Sequence, residues 1–216
     1  MGKGLPFTNR KRARTIRIEK EDYYMKVMIL LSKHYEETEA LTVVDYLRRA
    51  DITIDMVATE GDLQTVGAHN IVILADKLIQ DVNAKDYEMI ITPGGVGGTE
   101  ALMANKEVVH LFKEQFQSDR YLASICASPL VLGKAKISEH IRGTIYPGFE
   151  KKLSFKEYIS DEPVVVDREH QVITSQGPAT AVYFALTLIE VLKGKEVRDQ
   201  VAKGLLLPQL EDFIKA

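Results

Sequence analysis

Tyr121-Leu122-Ala123-Ser124-Ile125-Cys126-Ala127-Ser128-Pro129 is the stretch on which the reading of this chain turns. Five mostly apolar residues run into the single cysteine, and two small residues and a proline follow it. Proline suits the first turn of a helix, where its missing N–H is no loss. The layout is therefore a strand, a sharp turn at Cys126, and a helix. A thiol so placed meets the positive end of the helix dipole and unpaired N–H groups, both of which lower its pKa. The plainer alternative is that a free cysteine often only packs. Position favours an activated thiolate at Cys126.

The pattern on either side is that of an alternating α/β chain. Upstream, Lys26–Leu31 is a short apolar run of the kind a strand covered on both faces gives. Residues 36–50 follow with helical spacing, Ala40, Val43, Val44 and Leu47 lying on one face, and Ile52–Ala58 is a second strand. Val66–Ala75 reads as a short strand or hairpin. Met89–Thr92 is the next strand, closed by Pro93-Gly94-Gly95-Val96-Gly97-Gly98, residues that turn sharply and let another group approach the backbone. Ala101–Asp119 is helical in two pieces broken near Asn105. Downstream, Pro129–Lys136 resumes helix, and Val164–Asp167 and Gln171–Thr174 flank Arg168-Glu169-His170 as a hairpin. Gly177-Pro178 then opens the apolar helix Ala179–Leu192, which Gly194 ends, and a last helix runs from Glu196 to about Leu206. Strands alternating with helices predict a mostly parallel central sheet with helices on both faces. In such sheets ligands collect beyond the carboxyl ends of the strands, where Gly94-Gly95 and Cys126 both fall.

Composition narrows the function. The chain has 216 residues, 45% hydrophobic and 27% charged, enough for one large domain with a sizeable core. Its net charge is −3, but residues 1–24 carry seven basic and three acidic residues, which leaves 21 basic against 28 acidic from Met25 onward, a formal −7. An acidic body argues against a nucleic-acid partner. One cysteine cannot form an intramolecular disulfide, so the cytoplasm is the default compartment. No apolar run is long enough to span a membrane. Residues 1–24 form a basic extension without the apolar core of a secretory signal. We expect them to be a mis-assigned start upstream of Met25 or a disordered arm, and residues 25–216 to be a single domain.

Three further features carry chemistry. Cys126 occupies a turn similar in geometry to the nucleophile elbow of α/β hydrolases, though it lacks the flanking glycines. Gly94-Gly95 matches no phosphate-loop spacing, but backbone N–H groups of Gly95 and Ala127 aimed at one point would make an oxyanion hole; the bland reading is a tight turn. In Glu36-Glu37-Thr38-Glu39, one glutamate can point inward, with a raised pKa and a proton to donate to a thiolate, while at least two remain on a solvated helix start. The histidines His34, His69, His110, His140 and His170 show no metal-ligand pairing, so no metal and no cofactor is expected. A histidine partner for Cys126 would have to come from the fold, and the segment after the elbow, Thr144-Ile145-Tyr146-Pro147, offers a tyrosine instead.

Taken together, Glu36-Glu37-Thr38-Glu39-Ala40, Asp45 with Arg48-Arg49, Pro93-Gly94-Gly95, Ala123-Ser124-Ile125-Cys126-Ala127-Ser128-Pro129 and Thr174-Ser175-Gln176-Gly177-Pro178 resemble the ThiJ/PfpI superfamily, within it the branch of the parkinsonism-associated deglycase and YajL-like proteins. The resemblance runs from Met25 to about Leu207. It implies a flavodoxin-like three-layer sandwich, a homodimer, Cys126 as the reactive cysteine, Glu39 as its protonated partner, and Gly95 and Ala127 as backbone donors. Gly94, Tyr146, His69 and Pro178 become pocket candidates. Tyr146 stands where many members place a histidine, which disfavours a Cys-His protease or amidotransferase; Ser128 replaces a glycine, and His69 an anion-binding arginine. The implied activity is a deglycase or cofactor-free glyoxalase acting on methylglyoxal, glyoxal or their adducts with protein side chains and releasing lactate or glycolate. The alternative is a redox sensor or oxidative-stress chaperone that uses an oxidisable Cys126.

Overall fold

Val27, Ile29 and Leu31 of strand β1 (Lys26–Leu31) enter one core cluster, Met28 and Leu30 the other, and all five are buried. Successive side chains on a strand point to opposite faces, so an unbroken apolar run is what two covered faces require. The structure, a computed structural model, describes residues 25–215. The expectation for residues 1–24 lies outside them.

After β1 come α1 (Glu37–Arg49), β2 (Thr53–Ala58), the hairpin β3 (Gln64–Val66) and β4 (Val72–Leu74), β5 (Lys77–Leu78) and β6 (Met89–Thr92). Next are α2 (Val96–Ala104), α3 (Lys106–Gln117), β7 (Tyr121–Ile125), α4 (Pro129–Lys134), β8 (Arg142–Gly143) and β9 (Glu157–Tyr158). The chain ends with β10 (Val164–Asp167), β11 (Val172–Ser175), α5 (Ala181–Lys193), α6 (Lys195–Gly204) and α7 (Leu207–Lys215). Seven strands form one sheet in the order β10-β11-β7-β6-β1-β2-β5, parallel except for β10. Helices α1, α5 and α6 cover one face through Val43, Leu47, Phe184, Leu188 and Val201. Helices α2, α3 and α4 cover the other through Leu102, Phe112, Val131 and Leu132. The fold is the expected α/β sandwich with a mostly parallel central sheet.

Two details differ from the sequence expectation. Helix α2 begins at Val96, so Gly97 and Gly98 belong to its first turn rather than to a loop. They have a packing reason: a Cβ on Gly98 would lie 2.8 Å from Tyr35 Cα, so the helix can approach the loop after β1 only without one. The C-terminal helix α7 was not expected. Leu206 breaks the preceding helix with φ 60°, and Pro208 sits in the first turn of the new one.

Candidate functional site

Strands β11, β7, β6 and β1 are consecutive parallel neighbours, and the segments that follow their carboxyl ends converge. From β7 the chain enters Cys126, whose φ of 64° is left-handed, a conformation unusual for a residue with a Cβ. Its N–H donates to Ser175 O at 3.0 Å on β11, and its carbonyl accepts the Tyr146 N–H at 2.9 Å, so both peptide groups are held. Behind the turn, the buried Ser128 hydroxyl accepts the Ile125 N–H at 3.0 Å and donates toward Thr92 O at 2.9 Å on β6. Ser128 therefore ties the elbow to the neighbouring strand, a role its residue type alone does not signal. Small hydroxyl residues around a predicted nucleophile are the clue that was available.

Gly94 follows β6 and fits against Cys126. A Cβ there would lie 2.5 Å from Cys126 Cβ, 2.7 Å from Glu39 Oε2 and 3.0 Å from Cys126 Sγ, so only glycine lets cysteine and glutamate meet. The Gly94 N–H donates to Glu39 Oε2 at 2.6 Å. Gly95, at φ 83°, caps α2, and a Cβ on it would strike His34 O at 2.5 Å. The backbone N–H groups of Gly95 and Ala127 both lower the pKa of the Cys126 thiol, so the two predicted donors act on one sulfur.

Glu39 lies on the first turns of α1 and is fully buried. Its Oε1 has no hydrogen-bond partner among the described residues. Burial raises its pKa from 4.5 to about 7, against the lowering effect of the Gly94 N–H and of Cys126. Burial also pushes the Cys126 thiol up, and the Glu39 charge adds to that, to about 12, although the Gly95 and Ala127 N–H groups pull it down. The expected lowering at a helix start is thus corrected: desolvation and the Glu39 charge outweigh the nearby N–H groups. Both groups rise mainly because burial penalises each charge, and the Glu39 charge further opposes ionising the sulfur, so the doubly ionised pair is disfavoured and a proton is retained between them. When that proton sits on Glu39, the charge that raises the thiol disappears and the carboxyl becomes a donor to sulfur.

The acidic run is also corrected. Both Glu37 and Glu39 are buried, not one of three. Glu37 accepts from the His69 N–H at 2.6 Å and from His69 Nδ1 at 2.7 Å. Burial would raise its pKa, but those bonds and other backbone N–H groups hold it below the usual range, while His69 is raised by its contact with Glu37. Glu36 Oε2 lies 3.8 Å from His69 Nδ1, and one ligand atom from each of Glu36, Glu37 and His69 falls within 4.8 Å of the others. This is a grouping that linear spacing could not reveal. Both Glu37 oxygens are already engaged by His69, which accounts for the cluster without an ion.

His69 is 67% exposed in its side chain and pairs with α1, not with the thiol. Tyr146 is 43% exposed, with its ring over Gly177 and edge-on to Phe149 at 6.0 Å. Pro178 is exposed and opens a 3₁₀ turn beside it. Cys126 itself is partly buried. The assembly can deliver a sulfur nucleophile from an Glu39-shared proton, with two N–H donors beside it.

Comparison with known proteins bears on this geometry. The DJ-1/PfpI family model matches residues 25–191. Drosophila melanogaster protein dj-1beta is 34% identical over 181 residues, 83% of this chain and 96% of the relative. The Danio rerio Parkinson disease protein 7 homolog is 31% identical over 84% of this chain and 97% of its own. Arabidopsis thaliana protein DJ-1 homolog B is 31% identical, but this chain spans only 41% of its length. Among solved structures, Drosophila melanogaster DJ-1beta has a TM-score of 0.80 at 34% identity, covering 84% of this chain and 97% of that one. The oxidized form of Toxoplasma gondii DJ-1 has a TM-score of 0.80 at 31% identity, covering 84% and 98%. With the match extending over strand, elbow and glycine turn alike, the chain belongs to the DJ-1/PfpI family.

Proposed function

We propose that this chain is a cysteine-dependent enzyme of carbonyl and oxidative stress defence that converts methylglyoxal or glyoxal, free or as adducts with protein side chains, and releases lactate or glycolate. The observation that carries the reading is the meeting of Cys126, Glu39 and the Gly95 and Ala127 N–H groups at one sulfur. The thiolate adds to the aldehyde carbon, forming a C–S bond and an alkoxide that the two N–H groups stabilise. Glu39, having kept the thiol proton, passes it to that oxygen. Its carboxylate then removes the hydrogen of the same carbon as a proton and returns it to the neighbouring carbon, leaving a thioester. Water cleaves the thioester to the hydroxy acid and restores the thiol. Acid–base help of this kind is worth about 10²–10⁴-fold. Among the described residues no histidine shifts the Cys126 thiol, so turnover is modest.

Lactate release from methylglyoxal and from methylglyoxal-treated protein, compared between wild type and Cys126→Ala, tests the proposal. Release by wild type and loss in the variant is the expected result; equal release by both overturns it.

A second reading is a redox sensor or oxidative-stress chaperone. The oxidized Toxoplasma gondii relative favours it, as does a partly buried sulfur beside a hydrogen-bonding carboxyl. Its signature is a peroxide-dependent mass gain of two oxygens at Cys126. We assign the chain to the cytoplasm and to a homodimer in either case. The hairpin of β3 and β4 supports the dimer, because Ile71, Val72 and Leu74 are 49%, 56% and 69% exposed. Among the described residues no helix is long and apolar enough to cross a membrane.

A further inference from the structure

A cleft of about 490 Å³ opens at the far end of α4 from Cys126 and is lined by none of the residues of the Cys126 site. Half-buried Met103, Leu130 and Leu153 line it with apolar surface, and Lys134, Lys136 and Lys152 surround them with charge, opposed in the lining by Glu139 alone. Three lysines at one concavity stand out against a body of formal charge −7 from Met25 onward. None of the three forms an ion pair within 4.0 Å among the described residues, where the lysine pairs are made by Lys26, Lys77 and Lys195.

The arrangement is built by local structure. Gly133 lets the apolar side close, because a Cβ there would lie 2.2 Å from Leu153 Cδ1. Lys136 follows the end of α4 at φ 61°, a position where glycine is the favoured residue. Lys152 Nζ lies 4.5 Å from the centre of the Phe149 ring, which fixes the side of the cleft on which its charge stands. Lysine is a compact point charge suited to phosphate oxygens. The volume falls in the range of small-molecule sites, about 300–1,000 Å³.

The geometry points to a second ligand site, independent of the Cys126 chemistry, that takes an organic phosphate of the nucleoside diphosphate class, its apolar body against Met103, Leu130 and Leu153 and its phosphates on Lys134, Lys136 and Lys152. Titration calorimetry on the full chain with ADP, adenosine and pyrophosphate tests it. ADP is expected to bind saturably with a Kd below about 1 mM, and adenosine and pyrophosphate each at least roughly tenfold more weakly. The Lys134→Gln, Lys136→Gln, Lys152→Gln triple variant, checked for native circular dichroism, is expected to lose about tenfold or more in ADP affinity, and ~0.5 M salt to have a similar effect on wild type. Cys126→Ser leaves ADP binding unchanged. Absence of saturable binding in wild type, or equal ADP affinity in the triple variant, overturns the site. Pyrophosphate binding as tightly as ADP overturns the part assigned to the apolar wall.

Discussion

Glu39 carries an electrostatic burden that makes the site measurable by stability. Its carboxyl is raised from 4.5 to about 7 mainly by burial, so the folded state favours the protonated form. The stabilisation is complete below the unfolded pKa and is lost as pH rises through about 7. The shift corresponds to about 3 kcal/mol spread over that window. Glu39→Gln keeps an acceptor for the Gly94 N–H and a donor for sulfur but has no charge to bury. Thermal melts at pH 5 and pH 8 should therefore show a drop for wild type, on the order of 5–10 °C, that is absent in Glu39→Gln. The same variant should lose about 10²–10⁴-fold in lactate release, because it cannot move a proton. At Gly94 the expected outcome is steric. Gly94→Ala forces Cys126 and Glu39 apart, destabilising by about 1–3 kcal/mol in urea titrations and slowing alkylation of Cys126.

At the scale of elements, the turn at Cys126 is held by bonds to three other segments: Ser175 on β11, Tyr146 after β8, and Thr92 on β6 through Ser128. The strand-turn-helix pattern around Cys126 was legible because proline, small residues and an apolar run are local signals. Ser128 was not, since its hydroxyl works only once β6 lies beside β7. The break near Asn105 was legible for a capping reason now visible: its side chain accepts the Glu107 and Val108 N–H groups at the start of α3 and donates to Thr59 O. Asn105→Ala should cost about 1 kcal/mol, read as a lower urea midpoint with unchanged m-value. Helix α7 lies beyond the last helix the sequence predicted, Glu196 to about Leu206, and its proline sits in the first turn, where a missing N–H is no loss.

Across the whole molecule, the sheet order places β1 and β6 side by side although two strands, a hairpin and a helix separate them in sequence. The chain leaves that pair in opposite directions, toward β2 on one side and β7 on the other, and the crevice so formed holds the cysteine and the glutamate. The projecting hairpin belongs to this scale too. Leu74→Arg should convert the proposed homodimer to monomer in sedimentation analysis, because a charge at a residue 69% exposed is harmless to the monomer but not in an apolar interface.

The sequence by itself determined the layers and the elbow, because hydrophobic period, proline position and glycine turns act over a few residues. It also offered Cys126, Gly95 and Ala127 as candidates, and Glu39 through the resemblance to a known family. Only the tertiary structure decided the protonation of the pair, since burial of Glu39 and Cys126 is a sum over α1, β6 and β7 packed together. It likewise decided that Glu37 turns inward to His69, a partner 32 residues away. Local pattern fixes which way a side chain can point; only packing fixes how much water is left around it, and that water sets the charge.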